Sequence, residues 1–198
     1  MHLLEIGPDD HVLDLGCGTG NLTKEIRSLT GGEIIGIDPS EGMIKEASNH
    51  YKDLNITFKI QSAEELDYQD RFNIIFCNSA FQWFKDVDRI INNCYIALKK
   101  GGKFGIQAPA KRIYSPNFIE AINRIQNDPR TKDIFKQFRN PWFFCESADE
   151  YKSLFKKQNF IVPFAEIQYI EQEYTSDEVF NVFMSGASNG YLNKDFYS

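Results

Sequence analysis

Short aliphatic runs alternate along this chain with stretches whose apolar positions recur every three or four residues, and Gly, Pro, Asp or Asn punctuates the joints. The runs HVLDLG, GEIIGID, ITFKIQS, FNIIFCNS and KFGIQAPA read as strands. Between them NLTKEIRSL reads as a helix with Asn21 as its N-cap, and PSEGMIKEASNHY as one entered through Pro39 and Ser40. VDRIINNCYIALKK reads as a further helix, closed by Gly101 and Gly102. Strands this uniformly apolar are buried on both faces. The alternation therefore predicts an α/β fold: a Rossmann-like, doubly wound, mostly parallel sheet with helices on both faces.

After Pro109 the character changes. NFIEAINRIQND is helical, FKQFRNPWFFCE is an aromatic and basic connector, and SADEYKSLFKKQNF is an amphipathic helix with Ser147 and Glu150 at capping-box spacing. IVPFAEIQYIEQEY is a long extended segment that predicts an additional strand, and SDEVFNVFMSGAS is a last helix. No repeat or low-complexity stretch divides the chain, so residues 1–198 read as one domain, with a regular core over 1–110 and a less regular part over 111–198. Both ends read as unfinished. HLLEIGP resembles the last turn of a helix, and no strand after YLNKDFYS completes the sheet. The expectation is a sheet incomplete at both ends, from a truncated chain.

At 198 residues, with 42% hydrophobic and 25% charged side chains, the chain is of globular type and long enough to bury a real core. Its net charge of -6 counts against a nucleic-acid surface, which carries a basic footprint. Cys17, Cys77, Cys94 and Cys145 form no CxxC pair and no cluster with His, which predicts reduced thiols, no disulfide framework and no metal site. No apolar run reaches signal-peptide or membrane-span length, so the chain reads as cytoplasmic with no membrane partner.

The chemistry gathers around DLGCGTG, residues 14–20, where the first strand ends. In an open parallel sheet, ligands bind beyond the carboxyl ends of the strands, where the strand order reverses. Glycines serve there because the chain turns tightly and a ligand touches backbone. A dinucleotide fingerprint built on Gly16 and Gly18 needs glycine at position 21, which holds Asn21. The Gly-Lys-Ser/Thr ending of a phosphate-gripping loop is also absent. Asp38, at the end of the second strand, can accept hydrogen bonds from both hydroxyls of a ribose. Ala63 and Glu64 follow the third strand, and the polar turn CNSAFQWF follows the fourth.

DLGCGTG, GIDPS, SAEEL and LKKGGKFGIQAP stand in the order and spacing of a known family. From about residue 3 to its end, the chain resembles the class I S-adenosylmethionine-dependent methyltransferases. The resemblance implies S-adenosyl-L-methionine as cofactor. Asp14 and the backbone of Gly16, Cys17, Gly18 and Gly20 would hold its methionine end, and Asp38 its ribose. Pro39 and Met43 would flank the adenine, with core filling as the other reading of Met43. Ser62, Ala63 and Glu64 would meet the adenine edge, although many members carry an acid where this chain has Ser62. Asn78 would present backbone to the methionine amine.

The pair Gln82-Trp83, the GIQAP strand and NPWFFCESADEYKSLFKKQNF look more specifically like a subgroup that contains trans-aconitate and malonyl-carrier-protein methyltransferases. That likeness implies transfer to a carboxylate oxygen of a small molecule or of a carrier-protein thioester, with 111–198 as the substrate side. An ionised carboxylate is already nucleophilic at neutral pH, so no catalytic base is needed, and His2, His11 and His50 are scattered. Gln82, Trp83 and Arg139 are the candidate catalytic residues. Trp83, with Phe81 and Phe84, would wall the transfer site or else fill core. Arg139, then Arg112, would hold the anion or else stand solvated. Two other functions stay open: methylation of RNA or protein on the same scaffold, and cofactor binding without turnover.

Overall fold

The computed structural model describes residues 2–197. Its sheet has the order β3-β2-β1-β4-β5, with every neighbouring pair parallel. The strands are β1 (Val12–Leu15), β2 (Ile34–Asp38), β3 (Thr57–Ile60), β4 (Phe72–Asn78) and β5 (Leu98–Gln107). From β1 the chain steps outward through β2 to β3, then returns to the other side of β1 for β4 and β5. Right-handed crossovers accordingly put α1 (Asn21–Arg27) and α2 (Glu41–His50) on one face and α3 (Val87–Ala97) on the other. This is the doubly wound open sheet that the strand pattern predicts.

β1 is the axis of the core, and no residue in it is more than 2% exposed. Val12 packs with Ile34, Ile74, Phe76 and Ile26 of α1. Leu13 and Leu15 alternate to the opposite face, as do Ile35, Ile37, Ile75 and Cys77, whose thiol senses Cys94 of α3. Each buried aliphatic side chain contributes about 1.5–3 kcal/mol. All four cysteines are buried.

Three local expectations are corrected. α3 stops at Ala97, so Gly101 and Gly102 lie within β5 instead of closing a helix. Leu98 pairs with Phe72 and Lys103 with Ile74, which leaves residues 99–102 bulged out of the ladder with Gly101 at φ 81°. The apolar spacing of IALKK suits a helix, but pairing with β4 wins. Gly20, not Asn21, caps α1, because its φ of 80° suits glycine; Asn21 Oδ1 instead accepts from the Tyr51 hydroxyl at 2.7 Å. Residues 161–174 form neither helix nor strand, and Ile161, Tyr169 and Ile170 are largely exposed. Apolar alternation is local, whereas a strand also needs a ladder partner, and none pairs with this segment among the described residues.

The chain divides into two compact units, Met1–Pro109 with Asp149–Ala165, and Ala110–Ala148 with Glu166–Ser198. The break after Pro109 is where the sequence changes character, but nearly all of α6 (Ala148–Lys157) belongs to the first unit. There Phe155 packs on Phe81 and Phe104, with ring centroids 6.1 and 5.6 Å apart. The second unit holds α4 (Pro116–Asn127), α5 (Lys132–Phe135), α7 (Ser176–Ser185) and α8 (Ser188–Leu192). Its centre is aromatic: the Tyr191 ring lies 4.9 Å from Trp142 and 5.2 Å from Phe138.

A Cβ on Gly190 would fall 2.2 Å from Cζ2 of Trp142. Gly190→Ala is expected to destabilise the second unit by about 1–3 kcal/mol through overpacking. Urea unfolding followed by Trp142 fluorescence, in a Trp83→Phe background that silences the other tryptophan, checks this.

Candidate functional site

The carboxyl ends of the parallel strands share one edge of the first unit, and the strand order reverses between β1 and β4. The loop leaving β1 is bound to the end of β2, since the N–H groups of Gly16 and Cys17 both donate to Ile37 O at 2.9 Å. Gly16, Gly18 and Gly20 have φ of 81°, 53° and 80°, the left-handed region that favours glycine. A Cβ on Gly16 would lie 2.3 Å from Cβ of Ala80, so this loop touches the turn that follows β4. At Gly18 a Cβ would meet nothing within 4 Å. The backbone there is bare toward open space, as a ligand cradle requires.

Asp38 spans two elements. Its Oδ2 accepts from Gly18 N at 3.1 Å, and its Oδ1 accepts from Ser40 N at 2.9 Å. Each oxygen keeps acceptor capacity for a ligand hydroxyl. The Ser40 hydroxyl in turn accepts from Met43 N at 3.4 Å, capping α2 and setting the half-buried Met43 and the exposed Pro39 beyond the end of β2.

Asp14, 2% exposed, accepts a hydrogen bond from the Thr23 hydroxyl at 2.6 Å. Burial pushes its carboxyl up to about 6; the Thr23 hydrogen bond offsets part of the rise and the Asp38 charge adds to it. Burial likewise pushes the thiols of Cys17, Cys77 and Cys94 upward, which leaves them protonated and non-nucleophilic at neutral pH.

After β3, Ser62 donates through its hydroxyl and its N–H to Glu65 Oε2, at 3.1 and 3.4 Å. Ala63 is buried and Glu64 half-buried beside them, the Glu64 carbonyl accepting from Asn93 Nδ2 at 3.2 Å. A carboxylate therefore does stand at Ser62, supplied by Glu65. Its signal was the capping-box spacing of S-A-E-E. Thr23, the partner of Asp14, had no such signal.

After β4, Asn78 Nδ2 donates to Ser79 Oγ at 3.3 Å, and Ser79 takes φ 55°, unusual for a residue with a side chain. Phe81 and Phe84 are buried with ring centroids 5.4 Å apart, while Trp83 is half-buried. Gln82 is buried and donates from Nε2 to Ser79 O at 2.8 Å.

The strand-end edge thus gathers Asp14, Gly16, Cys17, Gly18, Gly20, Asp38, Pro39, Met43, Ser62, Ala63, Glu64, Asn78, Gln82 and Trp83. Arg139 and Arg112 are exposed and belong to the second unit, Arg139 N donating to Phe196 O at 2.7 Å. His11 stands before β1, 3.8 Å from Glu33, and His50 is exposed at the end of α2; the His2 side chain lies outside the described residues. No group of three or more His, Cys, Asp or Glu suited to a metal ion occurs among the described residues. The edge suits a nucleoside bearing a cationic amino-acid tail better than a phosphate. Asp38 already takes the Gly18 N–H that a phosphate would want, and two nearby carboxylates repel an anion.

Residues 6–159 match the model of a methyltransferase domain family. The chain is 41% identical over 96 residues to a ubiquinone biosynthesis O-methyltransferase of Coxiella burnetii, covering 47% of this chain and 41% of that protein. It is 34% identical over 92 residues to a malonyl-[acyl-carrier protein] O-methyltransferase of Acetivibrio thermocellus, covering 46% of this chain and 32% of that one. It spans less than half the length of either. Among solved structures, the YcgJ protein of Bacillus subtilis shares the fold, with TM-score 0.62 at 24% identity over 79% of this chain and 64% of that one.

Asp14 makes stability depend on pH. Below pH 3.8 it is protonated in both folded and unfolded chains. Between 3.8 and about 6 the folded chain keeps a proton that the unfolded chain has lost, so stability falls as pH rises through that window. By pH 7 the buried charge costs about 3 kcal/mol. Asp14→Asn is expected to be more stable than the parent by about 1–3 kcal/mol at pH 7 and equal to it near pH 4. Denaturant midpoints at the two pH values check this.

Proposed function

Because the chain belongs to the methyltransferase domain family, we propose that it is an S-adenosylmethionine-dependent methyltransferase acting on a small molecule, with a carboxylate oxygen as methyl acceptor. The observation that carries this is the bare left-handed loop at Gly18, held against Asp38 and next to the buried Asp14. When bound, the cofactor supplies a methyl group on a sulfonium, open to in-line displacement.

The chain's own groups divide the binding. Asp38 accepts from the ribose hydroxyls, Pro39 and Met43 flank the adenine, and the backbone of Ala63 with Ser62 and Glu64 meets its edge. The methionine end lies against Asp14, against the backbone of Gly16, Cys17, Gly18 and Gly20, and against the backbone of Asn78. Ionised Asp14 favours the cationic tail. Trp83 offers a face to the positive charge, while buried Phe81 and Phe84 support the turn beneath it. Arg139 is the guanidinium we assign to a substrate carboxylate, on its chemistry alone.

An ionised carboxylate needs alignment and exclusion of water, not a base. The two relatives given above are both named O-methyltransferases, and one is named for a malonyl-[acyl-carrier protein], which favours an oxygen acceptor on a small acid or a carrier-protein-bound acid. No helix among the described residues is long and apolar enough to cross a membrane, and we place the protein in the cytoplasm.

Transfer of labelled methyl from S-adenosylmethionine to small dicarboxylic acids, a malonyl carrier-protein thioester and tRNA, assayed in parallel, tests the proposal. The expected product is a base-labile methyl ester. A base-stable product from tRNA alone overturns the carboxylate assignment. Asp38→Ala is expected to weaken S-adenosylhomocysteine binding by about 1–3 kcal/mol, measured by calorimetry.

A further inference from the structure

The Gln82 carboxamide has its donor end engaged and its acceptor end left over. The residue is 9% exposed, and Nε2 donates to Ser79 O at 2.8 Å. That bond fixes the orientation of the amide, because two carbonyl oxygens do not face one another. Oε1 is then buried with no hydrogen-bond partner among the described residues. A buried acceptor without a donor is uncommon in folded proteins and calls for a ligand or an ordered water.

Its surroundings say which donor it meets. Ser79 follows the last residue of β4, has φ 55°, and is tied to the end of β5 by its N–H to Gln107 O at 2.7 Å. The next residue, Ala80, is the one that excludes a side chain from Gly16. The Gln82 carboxamide therefore lies at the turn that touches the glycine loop, where the strand order reverses. Asp38 on β2 is two strand spacings from β4, about 10 Å. A nucleoside held by its ribose at Asp38 lays its amino-acid tail across β1 toward this turn. In that tail only the α-ammonium carries N–H donors; the sulfonium and the carboxylate have none.

On the cofactor assignment above, we propose that Gln82 Oε1 accepts a hydrogen bond from the α-ammonium of the bound cofactor, which makes Gln82 a cofactor-binding residue that selects for the amine. Its Nε2 contact with Ser79 O holds the acceptor in place, and the strained turn exists partly to present it.

The test compares two ligands, S-adenosylhomocysteine and its analogue with hydrogen in place of the α-amino group. Calorimetry gives the ratio of their dissociation constants for the parent protein, Gln82→Met and Gln82→Glu. A charge-assisted hydrogen bond predicts that Gln82→Met lowers the ratio about 10- to 100-fold, while Gln82→Glu keeps or raises it. A fold defect weakens both ligands together and leaves the ratio alone. An unchanged ratio in Gln82→Met, or a lowered one in Gln82→Glu if the Met variant does not fold, overturns the assignment and leaves Oε1 to a buried water or a substrate donor. Failure of S-adenosylhomocysteine to bind the parent protein overturns the cofactor reading itself.

Discussion

The absence of a side chain at Gly16 is the constraint on which the site depends. With Ala80 where a Cβ would go, the loop after β1 and the turn after β4 meet backbone to side chain at the point of strand reversal. The left-handed backbone at Gly16, Gly18 and Gly20 follows from fitting the loop into that gap while its N–H groups reach Ile37 O. Once these contacts are made, the ends of β1, β2 and β4 are locked in one frame. Asp38 is then brought onto Gly18 by a hydrogen bond between separate elements, while Gln82 bonds Ser79 within its own turn.

Asp14 shows that the frame was not selected for stability alone. A carboxylate in the middle of a fully buried strand opposes folding at neutral pH, and an aliphatic residue there would not. Thr23 supplies a single hydrogen bond, too little to offset the desolvation. A costly buried acid next to a bare glycine loop fits a role in holding a cationic ligand. Bound positive charge lowers the proton affinity of Asp14 and recovers part of what folding gave up.

Much of this was legible in the chain itself, and the parts that were not share a cause. The parallel sheet, the glycine loop and Asp38 followed from apolar runs, from glycines at strand ends and from an acid at the right distance, all of them local features. Glu65 was legible too, through its spacing from Ser62. The end of α3 was not, because whether IALKK continues a helix or enters a ladder depends on β4, which is distant in sequence. Residues 161–174 failed in the opposite sense: the strand-like alternation is real, but no pairing partner is at hand. The orphaned oxygen of Gln82 has no sequence signature at all, since it arises from burial and from the direction in which one amide is pinned.

A phosphate-gripping loop and a loop that only needs close backbone approach differ in what they offer outward. The first aims unpaired N–H groups at an anion. Here the Gly18 N–H is taken by Asp38, and the N–H groups of Gly16 and Cys17 are taken by Ile37 O. The side-chain acceptors at these strand ends are the carboxylates of Asp38 and Asp14 and the amide oxygen of Gln82. An acceptor-lined cradle recognises hydroxyls and ammonium groups and repels phosphates. On the proposed reading, the ribose hydroxyls fall to Asp38 and the cationic tail to Asp14 and Gln82. The choice of ligand is thus written less in the number of glycines than in the acceptors that take up the loop amides, the Asp38 carboxylate and the Ile37 carbonyl.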